Sequence, residues 1–166
     1  MTGPLVLVSV LFFLIHFGVL FALALWVGGG VALGFLAAPA LFEHAASRQQ
    51  AGELVGHILR RFDTVAFGSG SVALAGSLLE LFGTPGPARG LVLRVALVAA
   101  GLALALYARF ALTPQIAALR QAMGNIDEVA REDPRRRAFG RLHGFSVLCL
   151  MGQMLLGALA MALSVM

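Results

Sequence analysis

Residues 5–42 read LVLVSVLFFLIHFGVLFALALWVGGGVALGFLAAPALF, and this stretch decides the fold. It holds no formally charged side chain, and His16 is its only ionisable group. About 20 helical residues cross a hydrocarbon core, so the run is too long for one perpendicular span. Splitting it at Gly28-Gly29-Gly30 would leave a second piece of about 12 residues, too short to cross. The reading is one long helix over 5–37 that protrudes from the bilayer. It should break near Pro39, which has no N–H for the helix ladder and disfavours helix in the residue before it.

Outward from this stretch, three more apolar blocks predict spans over about 62–82, 90–112 and 139–164. The second and third are joined by Gly83-Thr84-Pro85-Gly86-Pro87, a tight turn by composition. Between the spans lie two helices with one apolar face each. In 49–62 that face is Leu54, Val55, Ile58, Leu59 and Phe62. In 114–131, opened by Thr113-Pro114, it is Ile116, Leu119, Met123, Ile126 and Ala130. Asp133-Pro134 repeats the start signal before the fourth span. No fixed-period repeat is visible.

The fold class is therefore all-α, an integral membrane four-helix bundle forming a single domain over 1–166. It has a long first helix and two cytoplasmic amphipathic helices, in segments 43–61 and 113–138. Composition agrees, with 60% hydrophobic and 12% charged residues and a mean hydropathy of +0.92. Soluble domains carry about 25% charged residues, and so few charges could not wet a soluble domain of this size. The single Cys149 excludes a disulfide scaffold. The N-terminus lacks a basic region and a small-residue cleavage site, so it reads as a retained membrane helix.

The net charge is +4, and every one of the twelve basic residues is Arg. Ten of them fall in 48–61 and 109–141, flanking apolar blocks without interleaved readers, which argues against a nucleic-acid partner. The pattern is that of membrane topology. It places the Arg-rich segments in the cytoplasm and both termini outside, in a multi-pass protein of a bacterial-type inner membrane. The partners expected are the lipid bilayer and further copies of the chain.

Ionisable groups at membrane depth are costly, which makes each a candidate. They are His16, Asp63, Glu80, Arg94, Arg109 and His143, with Gln153 as a neutral companion. Helical stripes gather them toward the bundle interior. His16 shares a face with Leu20, Leu23, Val27, Gly30 and Gly34. Ser69, Ala73, Gly76 and Glu80 line up on the second span, Arg94, Gly101, Ala105 and Ala108 on the third, and His143, Ser146, Gln153, Gly157 and Ala160 on the fourth. Glu80 and Arg94 flank the outer turn, where a salt bridge would close the second and third spans. His16 lies in the outer half of its span, whereas Asp63, Arg109, Arg141 and His143 gather at the cytoplasmic end, where the first three suit helix-end pairing or snorkelling. His44 and His57 belong to the exposed cytoplasmic segment. Cys149, Met151, Met154 and His143 could supply soft ligands, although methionines on a membrane helix mostly fill packing gaps. No C-x-x-C, H-x-x-x-H, Walker loop or G-x-S-x-G occurs, so zinc-hydrolase, nucleotide and serine-hydrolase chemistry has no support.

Several pieces together resemble the transmembrane protein 205-like family of four-helix membrane proteins. They are Trp26-Val27-Gly28-Gly29-Gly30, Ala38-Pro39-Ala40-Leu41-Phe42, Gly52, Phe62, Arg109 with Thr113-Pro114-Gln115-Ile116, and Arg141-Leu142-His143-Gly144-Phe145-Ser146. More distantly, His16, Trp26, Gly28, Pro39, Leu41, Phe42 and His44 look like two other groups. These are the HemJ type of protoporphyrinogen oxidase, implied to hold haem through an intramembrane His, and the CopD type of copper-resistance protein. The HemJ type carries an intramembrane Lys and this chain has none, so the resemblance implies haem or metal binding rather than porphyrinogen oxidation.

The expectation is a membrane protein that binds haem, porphyrin or a soft metal ion such as copper inside the bundle. His16 would be the axial or metal ligand, with His143 a second metal candidate and His143 and Gln153 lining the same interior. No catalytic residue stands out. The alternatives are a structural or partner-binding protein without cofactor, and a small transporter or resistance protein with Glu80, Arg94 and Gln153 on the path.

Overall fold

The computed structural model describes residues 3–86, 88–130 and 132–165. All regular structure in them is helical, in the order α1 (Gly3–Val31), a π-helical segment (Ala32–Ala37), α2 (Ala38–His44), α3 (Arg48–Gly83), α4 (Arg89–Tyr107), a second π-helical segment (Ala108–Leu112), α5 (Thr113–Met123) and α6 (Pro134–Ser164). Four continuous helical runs are long and apolar enough to cross a membrane, Val6–His44, Arg48–Gly83, Arg89–Met123 and Pro134–Ser164. The chain is a multi-pass membrane protein. Its outer surface fits lipid, since Phe13, Phe17, Phe21, Leu25 and Phe35 along the first run are all exposed. Lipid offers such segments no hydrogen bonds, so their backbone polar groups are satisfied within the helix.

Two expectations need correction. Pro39 does not break the first helix, and Pro114 does not start a new one. Each follows a π-helical segment. The wider π turn takes up the register change that a missing N–H and a bulky ring impose, so the helix passes through the proline. Thr113 accordingly does not cap. Its Oγ1 donates to Ala108 O at 2.9 Å, within the π turn. The first run ends instead at Ala45, whose ψ of 149° is extended.

The segment 49–62 is likewise the leading part of α3 rather than a separate helix. Ser47 caps it, its Oγ accepting from Gln50 N at 3.1 Å, while Gln50 Oε1 reaches back to accept from Ala46 N, just before the cap, at 3.0 Å. α3 spans 36 residues, about 54 Å at 1.5 Å per residue, so it extends well beyond a 30 Å hydrocarbon layer. The helix expected over 114–131 stops at Met123, where Gly124 takes a φ of +65°. As expected, Asp133 caps α6, its Oδ1 accepting from Arg135 N at 2.7 Å.

At the Arg-rich end, hydrogen bonds tie α3 to α5 and to the connection after it. Arg120 Nη1 donates to Gly52 O at 3.2 Å, and Ile126 N donates to Gln49 Oε1 at 3.2 Å. A Cβ at Gly52 would lie 2.7 Å from Arg120 Nη2, so glycine permits the approach.

Within the bundle α1 packs mainly on α3, and α4 on α6. The element order repeats: a long helix, a π segment, a proline-led short helix, a connection and a second long helix. The core lies at the centre of the four helices and includes Val19, Leu23, Trp26, Ala73, Val98 and Ala160. The Trp26 ring wedges between small residues. A Cβ at Gly70 or at Gly101 would meet it at 3.0 Å.

Candidate functional site

The end of the bundle beside the 83–90 turn carries a polar cluster drawn from all four long helices. Glu80 of α3 accepts a charged hydrogen bond from Arg94 Nη2 of α4. The other carboxylate oxygen of Glu80 lies 3.2 Å from His16 Nδ1 of α1. Arg94 Nη1 donates to Ser164 Oγ of α6 at 3.1 Å, and that hydroxyl donates to Ala160 O at 2.9 Å. The Arg94 and Glu80 side chains are 1% and 8% exposed, whereas that of His16 is 39% exposed.

Each position follows from helical spacing. Ser69, Ala73, Ser77 and Glu80 recur every three or four residues along the buried face of α3. Arg94, Val98, Gly101 and Ala105 do the same on α4. The pair that closes α3 onto α4 is the one expected from sequence. Charges buried together in this way are stabilised only as a pair.

The hydrogen-bond chemistry fixes the histidine. An ionised carboxylate only accepts, so Nδ1 of His16 carries the proton toward Glu80. In the neutral ring the lone pair then lies on Nε2, which has no protein partner among the described residues. A carboxylate placed this way fixes the orientation of the ring.

The other expected site residues lie elsewhere. His143 is 21 residues before Ser164 on α6, about 31 Å along the helix, at the opposite end of the bundle. There its ring stacks on Phe139 at 5.9 Å, and Arg120 lies over the other ring, 5.7 Å from the Phe139 centroid. Gln153 is buried, but 11 residues from Ser164, about 16 Å away. Between these levels Val98 and Ala160 are fully buried, so apolar packing separates Gln153 from the charged cluster. Asp63 and Arg109 meet at 3.8 Å near the Arg-rich end. On α6 Cys149 is buried while Met151 is exposed, so the soft donors of that helix do not converge. Among the described residues no group of three or more His, Cys, Asp or Glu could hold a metal ion.

Sequence reasoning missed Ser164 and Ser77. Extending the α6 stripe from Gly157 and Ala160 by one more turn reaches Ser164. On α3, Ser77 stands between Ala73 and Glu80 on the buried face, beside Gly76. Ser77 Oγ, Trp26 Nε1 and Arg94 Nε are buried without a hydrogen-bond partner among the described residues.

The sequence profile of one protein family, Domain of unknown function (DUF4149), matches residues 21–125. No curated protein and no solved structure matches the chain.

Proposed function

The chain belongs to the DUF4149 family, a domain of unknown function, and we propose that it is a membrane protein that binds a haem-type metalloporphyrin through His16. The observation that carries this reading is the His16–Glu80 contact at 3.2 Å. It leaves Nε2 as an unshared donor on a ring that is 39% exposed. Glu80 orients the imidazole, and Arg94 neutralises Glu80, so no net charge is stranded in the bilayer.

The donor set distinguishes between ligand classes. A bare copper or zinc ion needs several protein ligands, and among the described residues His16 has only Glu80 beside it, which Arg94 already engages. A metalloporphyrin brings four nitrogens of its own and asks the protein for an axial ligand. One oriented imidazole fits that demand. His143 and Gln153, at other levels of the bundle, would then serve packing rather than the ligand. The bound group would supply redox or ligand-exchange chemistry at its iron.

A second reading has its own support. The same cluster joins α1, α3, α4 and α6 at one end, which is what a cofactor-free structural clamp would do. In either case, the excess of Arg at the other end supports a cytoplasmic location for it in a bacterial-type inner membrane.

The test is to purify the chain in detergent from haem-replete cells and record its visible spectrum and metal content. The ligand reading expects a Soret band that is lost in His16→Ala and kept in His143→Ala. Colourless protein from such cells would overturn it and leave the clamp.

A further inference from the structure

At the Arg-rich end four Arg lie closest to the apolar blocks, while Arg48, Arg120, Arg135, Arg136 and Arg137 lie farther out among most of the acids. Arg60 and Arg61 stand on α3 directly before the second apolar block, and Arg109 lies in the π segment that ends the third. Arg141 is one turn before Phe145, whose ring packs edge-on against Tyr107 at 6.5 Å. These four residues therefore sit within about a turn of one another along the bundle axis, on α3, the π segment and α6, where α6 packs on the π segment and α3 reaches it through the Asp63–Arg109 pair. Asp63 is the acid found at their level, and Arg109 pairs with it at 3.8 Å. The collar keeps a net charge of three, from four Arg and one Asp. Arg61 and Arg141 are exposed and have no protein partner among the described residues.

The acids lie farther out. Asp127, Glu128, Glu132 and Asp133 belong to the connection beyond α5, whose last residue, Met123, is 14 residues past Arg109, about 21 Å along the helix. Glu53 is eight residues before Arg61, about 12 Å. Several are already engaged: Asp127 accepts from Gln49 N at 3.2 Å, Glu128 from Asn125 Nδ2 at 2.6 Å, and Asp133 caps α6. The screening length at physiological salt is about 8 Å, so these acids do not cancel the collar.

We propose that Arg60, Arg61, Arg109 and Arg141 form a binding site for the phosphate headgroups of anionic phospholipids. Guanidinium forks match phosphate oxygens, and their depth places them at the headgroup layer. The site does not involve His16 and is independent of any ligand bound there.

The test titrates the detergent-solubilised full chain with phosphatidylglycerol, phosphatidylcholine or free glycerol phosphate, reading retained lipid by native mass spectrometry. Phosphatidylglycerol should bind in preference to phosphatidylcholine, and glycerol phosphate should bind far more weakly than the lipid. Each Arg removed should weaken phosphatidylglycerol binding about fivefold, so Arg61→Gln with Arg141→Gln should lose about 25-fold. Both side chains lie outside the contact network, so the variant keeps its fold, and Arg89→Gln at the opposite end should change nothing. Equal retention of the two lipids, or a double variant that binds like the parent, would overturn the proposal. Glycerol phosphate binding as tightly as phosphatidylglycerol would overturn it too, in favour of a site for soluble phosphate.

Discussion

Glu80→Gln keeps the shape of the side chain at the centre of the polar cluster and removes its charge. The guanidinium of Arg94, whose side chain is 1% exposed, would then be buried without a counterion. Breaking a buried pair from one side costs about 3–5 kcal/mol, because the remaining charge stays desolvated. For a chain of this size, that corresponds to a fall in melting midpoint on the order of 10 °C. Removing both charges with Glu80→Gln and Arg94→Met should restore most of the loss. What remains should be about 1 kcal/mol for the hydrogen bond to Ser164. The two substitutions should therefore be strongly non-additive, as expected for groups in contact. The molecule carries its own reporter, since Cys149 is the single cysteine and is buried. A thiol-reactive dye in a thermal ramp follows its exposure without added labels. If Glu80→Gln melted within about 2 °C of the parent, or the double variant were as unstable as the two single losses summed, the pair would not hold the helices as described.

Other perturbations test the rest of the structure. Trp26→Ala should cost about 3–5 kcal/mol by leaving a cavity between α1, α3 and α4, read from the same thermal ramp. Gly101→Ala places a Cβ 3.0 Å from the Trp26 ring and should cost about 1–3 kcal/mol, relieved when Trp26→Phe is added. Gly124→Ala meets no neighbouring atom but must hold a φ of +65°. It should cost about 1–3 kcal/mol and raise hydrogen exchange at the end of α5, with no change in the membrane spans. Arg135 bonds Asp133 through its side chain and backbone and holds the carboxyl at about 2, below its ordinary 3.8. A depressed carboxyl stabilises the fold above pH 3.8, and that contribution is lost as pH falls toward about 2. In an acid titration followed by helicity, Asp133→Asn should remove the part of the loss that falls in this window.

Four spans were legible because a bilayer leaves the backbone few options and the apolar blocks are long. The Glu80–Arg94 pair was legible because both residues flank one short turn on the small-residue faces of their helices. Two features were not. Hydropathy marks where a chain meets lipid, but it does not say whether a helix ends there, so 49–62 and 113–123 looked separate from the spans they continue. The two prolines strengthened that impression, because a π turn that carries a helix through proline leaves no plain mark in composition. Nor could the stripes show that His143, read at the cytoplasmic end but on an inward face, is exposed there. The stripe that buries Cys149 and Gln153 reaches His143 by periodicity, but the bundle does not cover it at that end.

The repeat of element order bears on how the charges are placed. The first hairpin contributes His16 and Glu80, and the second contributes Arg94 and Ser164. Taken alone, the first hairpin would hold a carboxylate at membrane depth with only a titratable histidine beside it, and the second a guanidinium with no anion. Either state is expensive in hydrocarbon. Docking the hairpins neutralises both charges at once, and the contact is angular because Arg94 must reach Glu80 and Ser164 together. Apolar packing of Trp26 against Gly70 and Gly101 adds closeness, but similar small-residue grooves tolerate sliding along a helix axis. The ion pair does not, because a displacement by one helical turn, about 5.4 Å, would separate it. It follows that the polar cluster sets the register between the halves, and that a ligand on His16 would sense that register through Glu80.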